Sequence, residues 1–333
     1  MRPSNRFLVW LLGALMVASL AGCRSGPCPS AAAVKERPST GFISVEGGRV
    51  WYDVRGSGDG TPILVLHGGP GIPHDYLENL ELLGDDRPVI FYDQLGCGRS
   101  DRPEDASLWT RERFARELDQ VRTALGLKYV IIYGHSWGSI LAVDYLTGVG
   151  ASETSGDRMK GVRGVILAGP ALNLARWDND VRRLIADLGP ERAAAIERGE
   201  ATLRMDTPEF QDAMQEFYNR HVCRLDPWPA PVQRALQTMG QSVYQTLNGP
   251  TEFTVTGSLK GLDVTPMLPR LRLPVLYTCG EHDEATPGSA RVYAASTPNA
   301  EVVVIKGGSH LANWEKPAEY MAAVRQWLKR HGM

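Results

Sequence analysis

From residue 41 onward, short unbroken apolar runs alternate with longer stretches of helical period. The runs are 63–66 (ILVL), 89–92 (VIFY), 130–133 (VIIY), 165–168 (VILA), 274–278 (PVLYT) and 301–305 (EVVVI). Strands that are apolar at consecutive positions, without polar alternation, are covered on both faces, as in a parallel sheet between helical layers. Ahead of them, 42–46 and 49–54 flank Gly47-Gly48 and predict an antiparallel hairpin. Segments 110–125 and 136–146 read as amphipathic helices between strands. The pattern predicts an α/β fold with a mostly parallel central sheet flanked by helices.

The rhythm breaks between 173 and 248, where no strand pattern occurs. Segments 180–189, 190–200 and 207–221 instead carry helical periodicity, with proline or acidic residues at their starts. This predicts a helical cap over 173–248, inserted into a core formed by 41–172 and 249–333.

The first forty residues follow another pattern. Arg2 and Arg6 precede a continuous apolar run, 7–17 (FLVWLLGALMV). Such a run is too short to cross a hydrocarbon core of ~30 Å and has the proportions of a secretory signal. Leu20-Ala21-Gly22-Cys23 then resembles the lipobox of bacterial lipoproteins. The expectation is a signal peptide over 1–22, lipidation at Cys23 and a flexible Ser/Ala/Pro-rich tether over 23–40. The protein is then lipid-anchored in the bacterial cell envelope, at the outer membrane or the cell membrane. Arg24 in place of Asp after the cysteine implies, through the same resemblance, sorting to the outer membrane.

Composition narrows the partners. A formal net charge of -2 with no long run of one sign offers no basic stripe, so nucleic acid is not expected as a partner. Cys28, Cys97, Cys223 and Cys279 have no framework spacing, and no Cys/His cluster has zinc spacing, so neither a metal nor a cofactor is expected. Cys97 and Cys279, beside predicted strands, are expected as buried thiols.

The chemistry concentrates at strand ends. VIIYGHSWGSILAVDYL places Gly134-His135-Ser136-Trp137-Gly138 between a strand and a helix, the context of a G-x-S-x-G nucleophile elbow. Ser136 is the predicted nucleophile. LHGGPG (66–71) follows the third strand, where this architecture supplies a second oxyanion donor, so the amides of Gly69 and Trp137 are the predicted oxyanion hole. Trp137 and Pro70 are placed to wall the acyl pocket. Seven histidines compete for the role of base. His331 and His221 are expected at the surface, and His67 and His74 shape the Gly-rich loop. His135 sits on the elbow and does not fold back onto Ser136, while His282 faces away from Asp283. His310 lies after the last strand, as the order Ser…Asp…His requires, and Asp283, after the preceding strand, is the acid that orients it.

HGGPG, DQLGCGRS (93–100), GHSWG, NGPTEFTVTG (248–257), GEHDEATP and HLANWEKP together resemble the proline iminopeptidases of the α/β-hydrolase fold. The likeness runs from about residue 41 to the end and is nearest to tricorn-interacting prolyl aminopeptidases and L-proline amide hydrolases. It implies an α/β-hydrolase core and a serine aminopeptidase acting on short peptides or amino-acid amides with a free N-terminus. It also implies two glutamates that bind the substrate amine, matching Glu252 and Glu284. A prolyl N-terminus is a secondary ammonium with two N–H donors, which two carboxylates satisfy and neutralise. His135 stands where the family often has Gly or Gln, His282 where it often has Tyr or Phe, and the lipoprotein leader is unusual for it. An L-proline amide or L-amino-acid amide hydrolase, and a non-catalytic envelope binding protein on a hydrolase scaffold, remain open at this point.

Overall fold

A computed structural model describes residues 28–151 and 156–333. The signal peptide expected over 1–22 and the lipidation at Cys23 lie outside the described residues.

In chain order the described elements are α1 (Pro29–Lys35), β1 (Thr40–Val45), β2 (Gly48–Arg55), β3 (Ile63–Leu66), a 3-10 helix (His74–Leu83), β4 (Val89–Tyr92), α2 (Arg111–Ala124), β5 (Val130–His135), α3 (Trp137–Thr147) and β6 (Val162–Ala168). Then come α4 (Leu174–Ala186), α5 (Pro190–Thr202), α6 (Pro208–His221), α7 (Ala230–Gln237) and α8 (Gln241–Leu247), followed by β7 (Val275–Gly280), α9 (Pro287–Ala295), β8 (Ala300–Ile305), α10 (Ala312–Glu315) and α11 (Pro317–Arg330). The strands form one sheet in the order β1-β2-β4-β3-β5-β6-β7-β8. β1, β2 and β4 pair antiparallel, and every pairing from β4 through β8 is parallel.

The unbroken apolar runs have a direct physical reading. Side chains alternate faces along a strand. Leu64, Leu66, Ile90, Ile132, Val165 and Val275 enter one core, packed with Phe114 and Leu118 of α2 and Leu141 of α3. Ile63, Val65, Phe91, Ile131, Ile166 and Leu276 enter the other, packed with Leu77 and Leu80 of the 3-10 helix and with Met321 and Val324 of α11. Both faces are dry, so neither parity can be polar.

The segment between β6 and β7 holds α4 to α8. Its helices start on side-chain caps where the sequence supplies them: Asn173 accepts from the Arg176 N–H and Thr207 from the Phe210 N–H. Side-chain contacts fasten it to the core. Arg234 of α7 pairs with Asp75 and, at 2.9 Å, with Glu78. Asp180 of α4 accepts from Thr286 Oγ1 at 2.8 Å and from Ser289 Oγ at 2.5 Å, tying α4 to the start of α9.

The described part of the expected tether is ordered. Pro29 opens α1, Ala31 and Val34 are buried, Ser30 Oγ accepts from the Tyr129 N–H at 2.6 Å, and the Cys28 N–H donates to Asp59 O. The Ala run reads as loop composition, yet alanine is the strongest helix former, and Ala31 and Val34 at i, i+3 supply a face to bury.

Candidate active site

The elbow follows from close packing. Ser136 has φ 54 and ψ -121, a left-handed φ that a serine adopts only when its surroundings impose it. A Cβ on Gly134 would lie 2.3 Å from Gly138 O, and one on Gly138 would lie 2.2 Å from Leu66 O. Both positions therefore exclude any side chain. The turn lifts Ser136 to the C-terminal end of β5 and onto the N-terminus of α3.

Asp283 and His310 stand beyond the ends of β7 and β8, at the same edge of the sheet. His310 Nδ1 donates to Asp283 Oδ1 at 2.8 Å, and the Ala285 N–H donates to the same oxygen at 2.7 Å. Both side chains are buried. Burial pulls the His310 pKa down, but the charge and hydrogen bond of Asp283, with a further contribution from Glu252, outweigh it and raise it above the usual histidine value. The imidazole lies over Gly169, where a Cβ would sit 2.6 Å from His310 Cε1. Ser136 and His310 line the same cavity; among the described residues no hydrogen bond joins Ser136 Oγ to His310, and such contacts commonly tighten with substrate.

Gly69 lines the cavity in the loop after β3, with φ 108. Trp137 is the first residue of α3. Among the described residues neither backbone N–H is engaged within the fold, which leaves both free for an oxyanion. The neighbouring Gly68 N–H donates to Tyr76 Oη at 2.6 Å, and that hydroxyl donates to His135 Nδ1 at 3.1 Å. His135 Nε2 then donates to the carbonyl of His310 at 3.0 Å. Burial and the neighbouring His310 hold the His135 pKa well below the ordinary value, consistent with this neutral tautomer. The elbow histidine thus links the Gly-rich loop to the backbone of the histidine that Asp283 orients.

The structure brings Glu252 and Glu284 into the same cavity, of about 280 Å³. Tyr244 Oη donates to Glu252 Oε2 at 3.0 Å, while Glu284 Oε2 is buried without a partner and Oε1 lies 3.8 Å from His310 Nε2. Burial raises both pKa values. For Glu284 the charges of Glu252 and Asp283 add to that; for Glu252, His310 and Tyr244 oppose it. Among the described residues no lysine or arginine lines the cavity. Among the described residues there is also no cluster of three or more His, Cys, Asp or Glu fit to hold a metal.

Three expectations change. The Trp137 side chain is buried in the core, its indole N–H donating to Gln94 Oε1 at 3.0 Å, and Pro70 does not line the cavity; the wall is instead supplied largely by Met214 and Tyr218 of α6, Trp228 of the loop between α6 and α7, and Tyr244 of α8. His221 is half-buried and tied to the site. Its carbonyl accepts from the His310 N–H at 3.0 Å and the Glu284 N–H at 3.4 Å, and its Nδ1 donates to His282 O at 2.8 Å. The end of α6 therefore grips both loops of the site, an arrangement that spacing in the sequence does not reveal. Tyr76 was also missed, since its partners come from three separate segments. His67 and His74 do sit beside the Gly-rich loop: His67 Nε2 accepts from the Gln94 N–H at 2.9 Å, and His74 Nδ1 donates to Asp93 at 2.7 Å. Cys97 and Cys279 are buried free thiols.

An eight-stranded, mostly parallel sheet with a serine elbow and a carboxylate–histidine pair at its strand ends defines an α/β hydrolase. The family profile described as alpha/beta hydrolase fold matches residues 61–317. A proline iminopeptidase of Heyndrickxia coagulans is 41% identical over 290 residues, covering 86% of this chain and 98% of that protein. One from Saccharolobus solfataricus is 33% identical, covering 86% and 91%. The crystal structure of a Mycobacterium smegmatis proline iminopeptidase superposes with a TM-score of 0.80 at 34% identity, covering 88% of this chain and 98% of that one. The chain belongs to the proline iminopeptidase family of α/β hydrolases.

Proposed function

We propose that the protein is a serine aminopeptidase releasing N-terminal proline, or a similarly small residue, from short peptides through an acyl-enzyme. The observation that carries this reading is the meeting, in one cavity, of Ser136, the Asp283-oriented His310 and two buried carboxylates with, among the described residues, no lysine or arginine beside them in the lining. The substrate's secondary ammonium enters between Glu252 and Glu284, which sets the prolyl carbonyl against Ser136. His310 Nε2 takes the hydroxyl proton as the Oγ–carbon bond forms, and the amides of Gly69 and Trp137 receive the negative oxygen. Collapse breaks the carbon–nitrogen bond, and His310 returns the proton to the departing amine. Water, deprotonated by the same histidine, then cleaves the prolyl ester and frees proline and Ser136. A blocked N-terminus leaves two buried acids unpaired, which disfavours binding.

The test is intact-protein mass spectrometry during turnover of a prolyl ester at low pH, where deacylation is slow. A mass increase equal to one prolyl group, mapped to Ser136 and absent in Ser136→Ala, supports the reading. Turnover that survives in Ser136→Ala refutes it.

We further infer, from residues 1–23 alone, that Cys23 carries lipid and holds the enzyme at the bacterial cell envelope. Two or more acyl chains anchor stably where a single chain does not. A Cys23→Ser chain that still incorporates labelled palmitate and still sediments with membranes would contradict this placement.

A further inference from the structure

The cavity lining is of two kinds. One is polar: Glu252, Glu284 and the Tyr244 hydroxyl. The other is built on α7, which turns Val232, Ala235 and Leu236 inward, continued by Met239 just beyond its end, with Ile72 of the Gly-rich loop also on the wall. Positions 232, 235, 236 and 239 follow the i, i+3, i+4, i+7 spacing of one helix face. This stripe is not simply core filling. Leu236 remains 46% exposed although it lines the cavity. The helix is fixed to the 3-10 helix through Arg234 with Asp75 and Glu78, and to the loop before it through the Gly240 N–H, which donates to Gly71 O at 2.8 Å.

We propose that the α7 stripe receives the residue on the leaving side of the scissile bond and selects against negative charge there. Peptides and amides with an apolar, uncharged second residue are then substrates, and free dipeptides are poor ones. This deepens, and rests on, the aminopeptidase reading. Direction comes first. The ammonium is held at the buried glutamates and the carbonyl carbon at Ser136, so the chain beyond the bond runs away from the acids, toward the half-exposed Leu236 and the Gly-rich loop to which the end of α7 is bonded through Gly240 and Gly71. Charge comes second. In a dipeptide the second residue carries the terminal carboxylate itself. That anion would meet an apolar wall and two acids, with no lysine or arginine lining the cavity among the described residues. His310 cannot serve as its partner, because it must be neutral to act as base. Burying an unpaired carboxylate is strongly unfavourable. In an amide or a longer peptide a neutral amide takes its place.

The experiment measures kcat/KM of the full chain on prolyl-leucinamide, prolyl-leucine, prolyl-aspartamide and a prolyl arylamide. The expected result is a preference of about tenfold or more for prolyl-leucinamide over both prolyl-leucine and prolyl-aspartamide, the scale of an uncompensated buried charge. Leu236→Arg, at a half-exposed site, raises the prolyl-leucine to prolyl-leucinamide ratio by about tenfold, and Met239→Lys does the same if the first variant folds poorly. Equal rates on acid and amide, or a ratio unmoved in both folded variants, overturn the subsite while the arylamide is still cleaved. Failure to cleave any prolyl substrate, the arylamide included, overturns the aminopeptidase reading and the subsite with it.

Discussion

Replacing Glu284 with glutamine should make the protein more stable and much less active. The residue is buried and its pKa is raised well above the carboxylate range by burial first, then by Glu252 and Asp283; one oxygen has no partner. Glutamine keeps the shape and removes the charge. Without substrate, that relieves desolvation and like-charge repulsion. A folded-state pKa raised above the unfolded one gives stability that is present below the unfolded value and lost as pH rises through the folded one. The glutamine variant does not titrate, so its advantage in Tm should widen from pH 5 to pH 8 and close toward pH 4. For a chain of 333 residues each 1 kcal/mol gained moves Tm by roughly 1–2 °C. With substrate the sign reverses, because a hydrogen bond to a charged group is lost. That contributes about 1.5–3 kcal/mol, or a roughly 10- to 150-fold fall in kcat/KM on a prolyl arylamide. The assay pairs thermal unfolding across pH with steady-state kinetics. A Glu284→Gln chain that is less stable than the parent at pH 8, or that keeps full activity, refutes the reasoning.

Other expectations concern the histidine and its surroundings. Because His310 must be neutral to accept a proton and its pKa is raised, kcat/KM should climb with pH through an inflection above that of an ordinary histidine. Glu252→Gln should move that inflection downward, since the Glu252 charge is among the groups favouring the imidazolium; an upward move in the pH–rate profile contradicts the assignment. Gly169→Ala places a methyl 2.6 Å from His310 Cε1 and should displace the ring. A shift of about 1 Å at a reacting group costs on the order of 100-fold, so kcat should fall by that scale with KM little changed. Tyr76→Phe leaves the buried Gly68 N–H without its acceptor and His135 without its donor. One lost buried hydrogen bond of about 1–3 kcal/mol predicts a roughly 5- to 150-fold fall in kcat, and an unchanged kcat would remove the network from the mechanism.

The sheet was legible because apolar runs with both parities buried leave no other reading, and the placing of Ser136, Asp283 and His310 at one edge because each follows a strand end. Glu252 and Glu284 were legible only through resemblance; in isolation they look like solvated charges. What stayed hidden depends on contacts between distant segments. α7 and α8 are short, and their faces make sense only once α7 is pinned by Arg234 to Asp75. His221 looks like a surface residue until α6 is seen to end against the loops of Asp283 and His310. α1 hides in an alanine run because its buried face is only Ala31 and Val34 beside Ser30. Trp137 misled for the opposite reason: its place in the motif concerns its amide, while its ring packs 6.0 Å from Phe114 in the core.

The central claim is that two buried acids, and not the triad alone, make this serine hydrolase an aminopeptidase. The most direct measurement compares kcat/KM for a prolyl arylamide and its N-acetylated form on the same preparation, beside Ser136→Ala. With two charge-assisted hydrogen bonds at stake, the account predicts a preference of at least about 100-fold for the free amine, and no turnover of either substrate by the serine variant. Comparable rates on the two substrates would leave Ser136 and His310 in place and remove the glutamates from substrate recognition.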